Sequence, residues 1–160
     1  MRLHDISGRA DIETLVNAFY DTVRGDDVLG PIFDGVAAID WRTHLPKMYD
    51  FWEGVLFGGS AYHGNPLAVH AALSQRVALG PAEFGRWLTL FRRTVDELFA
   101  GPIATDTKLR AKRIAAVLQQ RSAAPRDADA EADSDVRRAD ARGPSADPAA
   151  RLPVRAVPSA

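Results

Sequence analysis

Ile12, Leu15, Val16, Phe19 and Val23 stand at offsets of zero, three, four, seven and eleven. That spacing puts all five on one side of an α-helix and on no single face of a strand. The period returns along the chain. Leu45, Met48, Phe51, Trp52, Val55 and Leu56 form a second stripe that runs out at Gly58-Gly59. Phe84, Trp87, Leu88, Phe91, Val95 and Leu98 form another. Ala111, Ile114, Ala115 and Leu118 mark a last helix, expected from about Asp106. Between the first two stripes, Leu29-Gly30-Pro31-Ile32-Phe33 reads as a short turn. Thr43 suits the cap of the second helix, with Pro46 in its first turn, where N–H groups lack partners anyway. Asn65-Pro66 opens a short helix and Pro81 a longer one. No β-hairpin signal interrupts the pattern, and the domain is expected to be all-α.

The period stops near Arg121. Residues 122–160 hold half of the chain's ten prolines, no aromatic residue, and only Val136, Leu152, Val154 and Val157 as large aliphatics. Such a segment buries too little apolar surface to offset the entropy of ordering. The expected organisation is a folded domain over 1–121 and a disordered, charged Ala/Pro/Arg/Asp-rich tail over 122–160. A formal net charge of −1 offers no electrostatic footprint for nucleic acid or an anionic membrane. With no cysteine in the chain, disulfides and thiolate metal sites are excluded. The opening MRLHDISGRADIETL lacks the apolar run of a secretory signal, and nowhere do about 18 apolar residues follow one another. A cytoplasmic location is expected.

The stretch GNPLAVHAAL poses the functional question. It is a short apolar helix carrying one imidazole, His70, which shares a face with Leu67, Ser74 and Val77. His44 likewise heads an apolar face made of Met48, Phe51 and Trp52. Tyr20 and Trp87 add a phenol and an indole N–H to other apolar stripes, and buried groups of this kind want hydrogen-bond partners. Zinc needs three or four ligands at close spacing, whereas His63 and His70 are seven apart with a proline between them. No G-x-S-x-G elbow and no phosphate-binding glycine loop is present. Two histidine-bearing helices facing each other across a flat apolar ligand remain, and haem fits that description. The bland alternative is a haem-free helical interaction module in which these polar groups are ordinary core.

The order Phe19-Tyr20, Pro31-Ile32-Phe33, Trp41-x-x-His44-Leu45-Pro46, Phe51-Trp52, Gly64-Asn65-Pro66 with His70 behind it, and Phe84-x-x-Trp87-Leu88 resembles the truncated haemoglobins. Of the three groups of that family it is most like group III, over roughly Asp11 to Gln120. Gly58-Gly59 is similar instead to glycine motifs of the other two groups. The resemblance implies a two-over-two helical sandwich around haem b. It implies His70 as the proximal iron ligand through Nε2, with Nδ1–H donated to a carbonyl one turn back. Phe33 would pack on the haem face, His44 would be the distal gate, and Met48 would lie one turn deeper. Tyr20 and Trp87 would be distal hydrogen-bond donors. Lys47, three residues after His44, is placed either to reach a propionate or to stay solvated.

That set implies binding of O₂, NO or CO. Two donors to a partly negative ligand predict slow release, which suits oxygen or NO binding and detoxification better than bulk transport. An electron-donating reductase and NO dioxygenase turnover are compatible with it. The alternative is a peroxidase-type redox enzyme, with a histidine as acid–base. No acidic residue lies within one turn of His70 to strengthen that reading.

Overall fold

The computed structural model describes residues 3–123. The expected tail, set to begin at Ser122, lies outside the described residues from position 124 on, and Ser122 itself is the last residue of the final helix. Five α-helices and one π-helical turn make up the fold, with no strand among the described residues. Helix α1, Arg9–Arg24, buries the first stripe together with Tyr20. It ends in a turn fastened by Asp26, whose carboxylate accepts the N–H groups of Val28 at 3.1 Å and Leu29 at 3.0 Å. Arg86 reaches the same carboxylate at 2.6 Å. The hydrogen bond from Arg86, helped by the backbone donors, holds the Asp26 carboxyl below the usual range against the opposing effect of burial.

The short turn expected at Leu29–Phe33 becomes a π-helical turn over Pro31–Val36, closed by Ala37 N–H donating to Ile32 O at 2.8 Å. Helix α2, Trp41–Phe57, begins before the expected start. Asp40, not Thr43, is its cap: the carboxylate accepts Arg42 N–H at 3.1 Å, and the Thr43 hydroxyl donates to Asp40 O at 3.1 Å. A carboxylate in the cap position out-competes the threonine, and Pro46 consequently falls inside the helix rather than in its first turn. Gly58, at φ 76°, stops α2 with a backbone conformation that L side chains rarely adopt.

Helix α3, Pro66–Ser74, starts as expected, with Asn65 Oδ1 accepting Ala68 N–H at 3.1 Å. Helix α4, Pro81–Leu98, has its first turn tied by Glu83 Oε2, which accepts Gly80 N–H at 2.8 Å. Helix α5, Pro102–Ser122, starts one turn earlier than expected. The reason lies in the N-terminal arm: Asp5 accepts Ile103 N–H at 2.9 Å and Ala104 N–H at 2.8 Å, capping α5 from the far end of the sequence. A Cβ on Gly101 would sit 2.3 Å from Asp5 Cγ, so the approach requires glycine there.

Helix α1 packs on α2 and α4, and α4 and α3 pack on α5, which gives the two-over-two sandwich. Arg9 adds a polar tie from α1 to α2, at 2.7 Å from Asp50 and 2.6 Å from Glu53. The core centres on the fully buried Phe91. Its ring stacks on Trp52 at 4.7 Å and Trp87 at 5.3 Å, and Phe19 meets it edge-on at 5.1 Å. Among the described residues no helix is long and apolar enough to cross a membrane.

Candidate functional site

Beside that core the helices leave a cavity of about 570 Å³, lined mainly by apolar side chains. Its size falls within the range of sites that enclose a cofactor or small ligand. Tyr20, Phe33, His44, Lys47, Met48, His70 and Trp87, the residues singled out in the sequence, all line it. His4 and His63 do not: both are exposed, and His4 Nε2 pairs with Asp11 at 3.0 Å.

His70 is set by the start of α3. The Asn65 cap fixes where the helix begins, and His70 follows Pro66 by four residues. Nδ1 lies 2.7 Å from Pro66 O. A carbonyl can only accept, so Nδ1 carries a proton and donates it, and in the neutral imidazole Nε2 is the nitrogen that keeps its lone pair. The ring tilts against Phe84 at 6.3 Å.

His44 comes from the first turn of α2. Its Nε2 is buried and has no hydrogen-bond partner. Burial holds its pKa below the usual histidine value of 6.5, and the charge of Lys47 adds to the effect. The imidazole is therefore neutral at pH 7. Tyr20, from α1, meets His44 nearly at right angles, with ring centroids 5.4 Å apart. Burial pushes the Tyr20 phenol above its usual value, with Tyr62 contributing, so it keeps its proton and remains a donor. Trp87 is held by its stack on Phe91 and by an edge contact with Phe19 at 5.4 Å.

Tyr62 and Arg76 also line the cavity and were not singled out from the sequence. Tyr62 lies in the segment between α2 and α3, its ring 5.2 Å from Phe51, and Arg76 lies in the turn after α3. Neither falls on a periodic stripe, so no local pattern marks them. The one carboxylate lining the cavity among the described residues is Glu83, already engaged with Gly80 N–H.

No three metal-ligating side chains gather among the described residues. One imidazole with a free Nε2 instead fits a metal whose other ligands arrive with it, as in a porphyrin. The mainly apolar walls suit a flat macrocycle, and Lys47 and Arg76 offer cations for its carboxylates. The residues present therefore fit haem.

An all-helical two-over-two sandwich opened around such a cavity is globin architecture. The family model for bacterial-like globins matches residues 3–120. The chain is 35% identical over 112 residues to the group 3 truncated hemoglobin ctb of Campylobacter jejuni, covering 68% of this chain and 85% of that protein. The crystal structure of the group III truncated hemoglobin from Campylobacter jejuni superposes with a TM-score of 0.65 at 30% identity, over 74% of this chain and 94% of that one. The chain belongs to the truncated haemoglobin family, group III. The Gly58-Gly59 pair does not alter that grouping: it terminates α2. The globin fold supports binding of haem and diatomic ligands in general.

Proposed function

We propose that this protein binds haem b through His70 and holds O₂, NO or CO beneath Tyr20, His44 and Trp87, for gas binding or detoxification rather than bulk transport. The observation that carries the reading is the contrast at the two histidines. His70 has its Nδ1–H committed to Pro66 O and its Nε2 free, while His44 Nε2 is buried in the same cavity wall without a partner. Haem, when bound, supplies a redox-active iron with a coordination position open to a small gas.

The remaining chemistry belongs to the chain. The Pro66 carbonyl fixes the tautomer of His70 and the direction of its lone pair. Lys47 and Arg76 would supply the cations for the propionates. Phe33 and Met48 keep water from the face they cover. Tyr20 O–H and Trp87 N–H would serve as donors to a small polar ligand in the cavity, where apolar walls strengthen each hydrogen bond. Neutral His44 stands at the edge as a donor or acceptor. An electron-donating reductase would be needed for turnover with NO.

The peroxidase reading is the weaker one. His70 Nδ1 donates to a neutral carbonyl rather than to a carboxylate, and the cavity's carboxylate, Glu83, caps α4 instead. A haem-free interaction module leaves the cavity and the unpartnered His44 nitrogen without a purpose.

Absorption spectra of the ferric, ferrous and CO-bound protein, recorded beside His70→Ala, test the proposal. A Soret band that moves on CO binding, with altered iron ligation in the variant, is expected. A colourless protein that takes up no added haem would overturn it.

A further inference from the structure

Tyr20 and His44 face the cavity with no hydrogen bond to aim the phenol oxygen or the imidazole Nε2. Their orientation must come from packing, and one side chain touches both. Trp41 stands behind the cavity wall, 5.3 Å from the Tyr20 ring and 5.8 Å from the His44 ring, the latter edge-on at 85°. It is itself held from outside. Its indole N–H donates to Asp34 Oδ1 at 2.6 Å, and the Arg24 guanidinium lies 5.2 Å over its ring. Arg24 Nε also approaches Asp34 Oδ2 at 3.6 Å.

We propose that Trp41 is a positioning residue for the Tyr20–His44 pair, latched in one orientation by Asp34 and Arg24. The latch decides which edge of the indole faces outward, and so which edge the two cavity side chains pack against. Asp34 and Arg24 are exposed, and exposed ion pairs of this kind contribute little to stability. Orientation is what the arrangement supplies. Asp34 sits in the π-helical turn that also carries Phe33, and Phe33 stacks on Trp41 at 6.0 Å with ring planes 16° apart. The segment joining that turn to α2 includes Ala38 at φ 49°, a left-handed conformation disfavoured for a residue with a Cβ. The Trp41–Asp34 bond clamps the two ends of this strained segment together. The proposal rests on the reading of Tyr20 and His44 as ligand-facing.

The test uses the full chain as purified, with ¹³C-labelled histidine and tyrosine rings, in Asp34→Ala, Asp34→Asn and Trp41→Phe. In Asp34→Ala and Trp41→Phe the ring signals of Tyr20 and His44 should shift and broaden, while those of His4 and His63 stay in place. Asp34→Asn keeps an acceptor for the indole and should restore most of the parent spectrum. A variant that had merely lost stability would lower the unfolding midpoint without this selectivity. Ring signals of Tyr20 and His44 that coincide with the parent in Asp34→Ala would overturn the latch. The C–O stretching band of the CO-bound protein separates this from the functional reading. A second band in Asp34→Ala, absent from the parent, supports both. Ring signals that respond in a chain that forms no CO complex would uphold the latch and overturn the reading of the pocket.

Discussion

His70 and His44 face one cavity in opposite hydrogen-bonding states, and the difference follows from their positions in their helices. His70 sits four residues into α3, where the Pro66 carbonyl is within reach of Nδ1. His44 sits behind the Asp40 cap of α2, and its Nε2 is enclosed with nothing to bond. Two predictions belong to this scale. A hydrogen bond to a charged acceptor is worth about 1.5–3 kcal/mol, so Tyr20→Phe should speed release of bound O₂ roughly tenfold or more. Stopped-flow release rates equal to the parent's would remove Tyr20 from that role. The second concerns pH. His44 has its folded pKa below the unfolded value of 6.5, so on acidification the unfolded chain takes up the proton first. The stability that keeping His44 neutral contributes is present above pH 6.5 and is lost as the pH falls from there through the folded value. Urea midpoints measured across that window should fall less steeply in His44→Gln than in the parent; parallel curves would show that His44 does not titrate as described. The side chains legible in the sequence all lie on helices announced locally, Tyr20, His44 and Trp87 by the apolar period and His70 by the Asn65-Pro66 start. Tyr62 and Arg76 lie between helices and were not.

Each helix start is a competition for unpaired N–H groups, and the reach of the winning acceptor decided how much could be read in advance. Asn65 caps α3 from the adjacent position, so GNP was enough to place it. Asp40 displaced Thr43 as the cap of α2 within a few residues, which moved that start without changing the face it presents. Asp5 caps α5 from 98 and 99 residues away, and no local pattern announces such a contact. Burial works to raise the Asp5 pKa, but the N–H groups of Ile103, Ala104 and Ile6, with His4, outweigh it and hold it below 3.8. Removing a cap of this kind costs about 0.5–2 kcal/mol, so Asp5→Ala should lower the unfolding midpoint by a corresponding amount. An unchanged midpoint would mean that the arm contributes nothing to α5.

Across the whole molecule, one aromatic cluster holds three helices together and also forms the back of the site. Phe91 joins Phe19 of α1 and Trp52 of α2 to Trp87 of its own helix, and Trp87 in turn faces the cavity. Phe91→Ala should therefore cost about 3–5 kcal/mol, as large-to-small changes at buried phenylalanines do, and should loosen Trp87 with it. Chemical denaturation measures the first effect and Trp87 ring resonances the second; a cost under about 1 kcal/mol would show that the cluster is not the centre of the core. The sequence by itself determined the helices, their apolar faces and the two histidines on those faces, because period, caps and prolines act within a turn or two of the chain. Only the tertiary structure decided which faces meet, where they part to leave a cavity, and which distant side chains finish the work. Asp5 on α5 and Arg86 on Asp26 are contacts made in space after the helices pack. Contacts of that kind depend on how the stripes dock, which no stretch of sequence specifies locally.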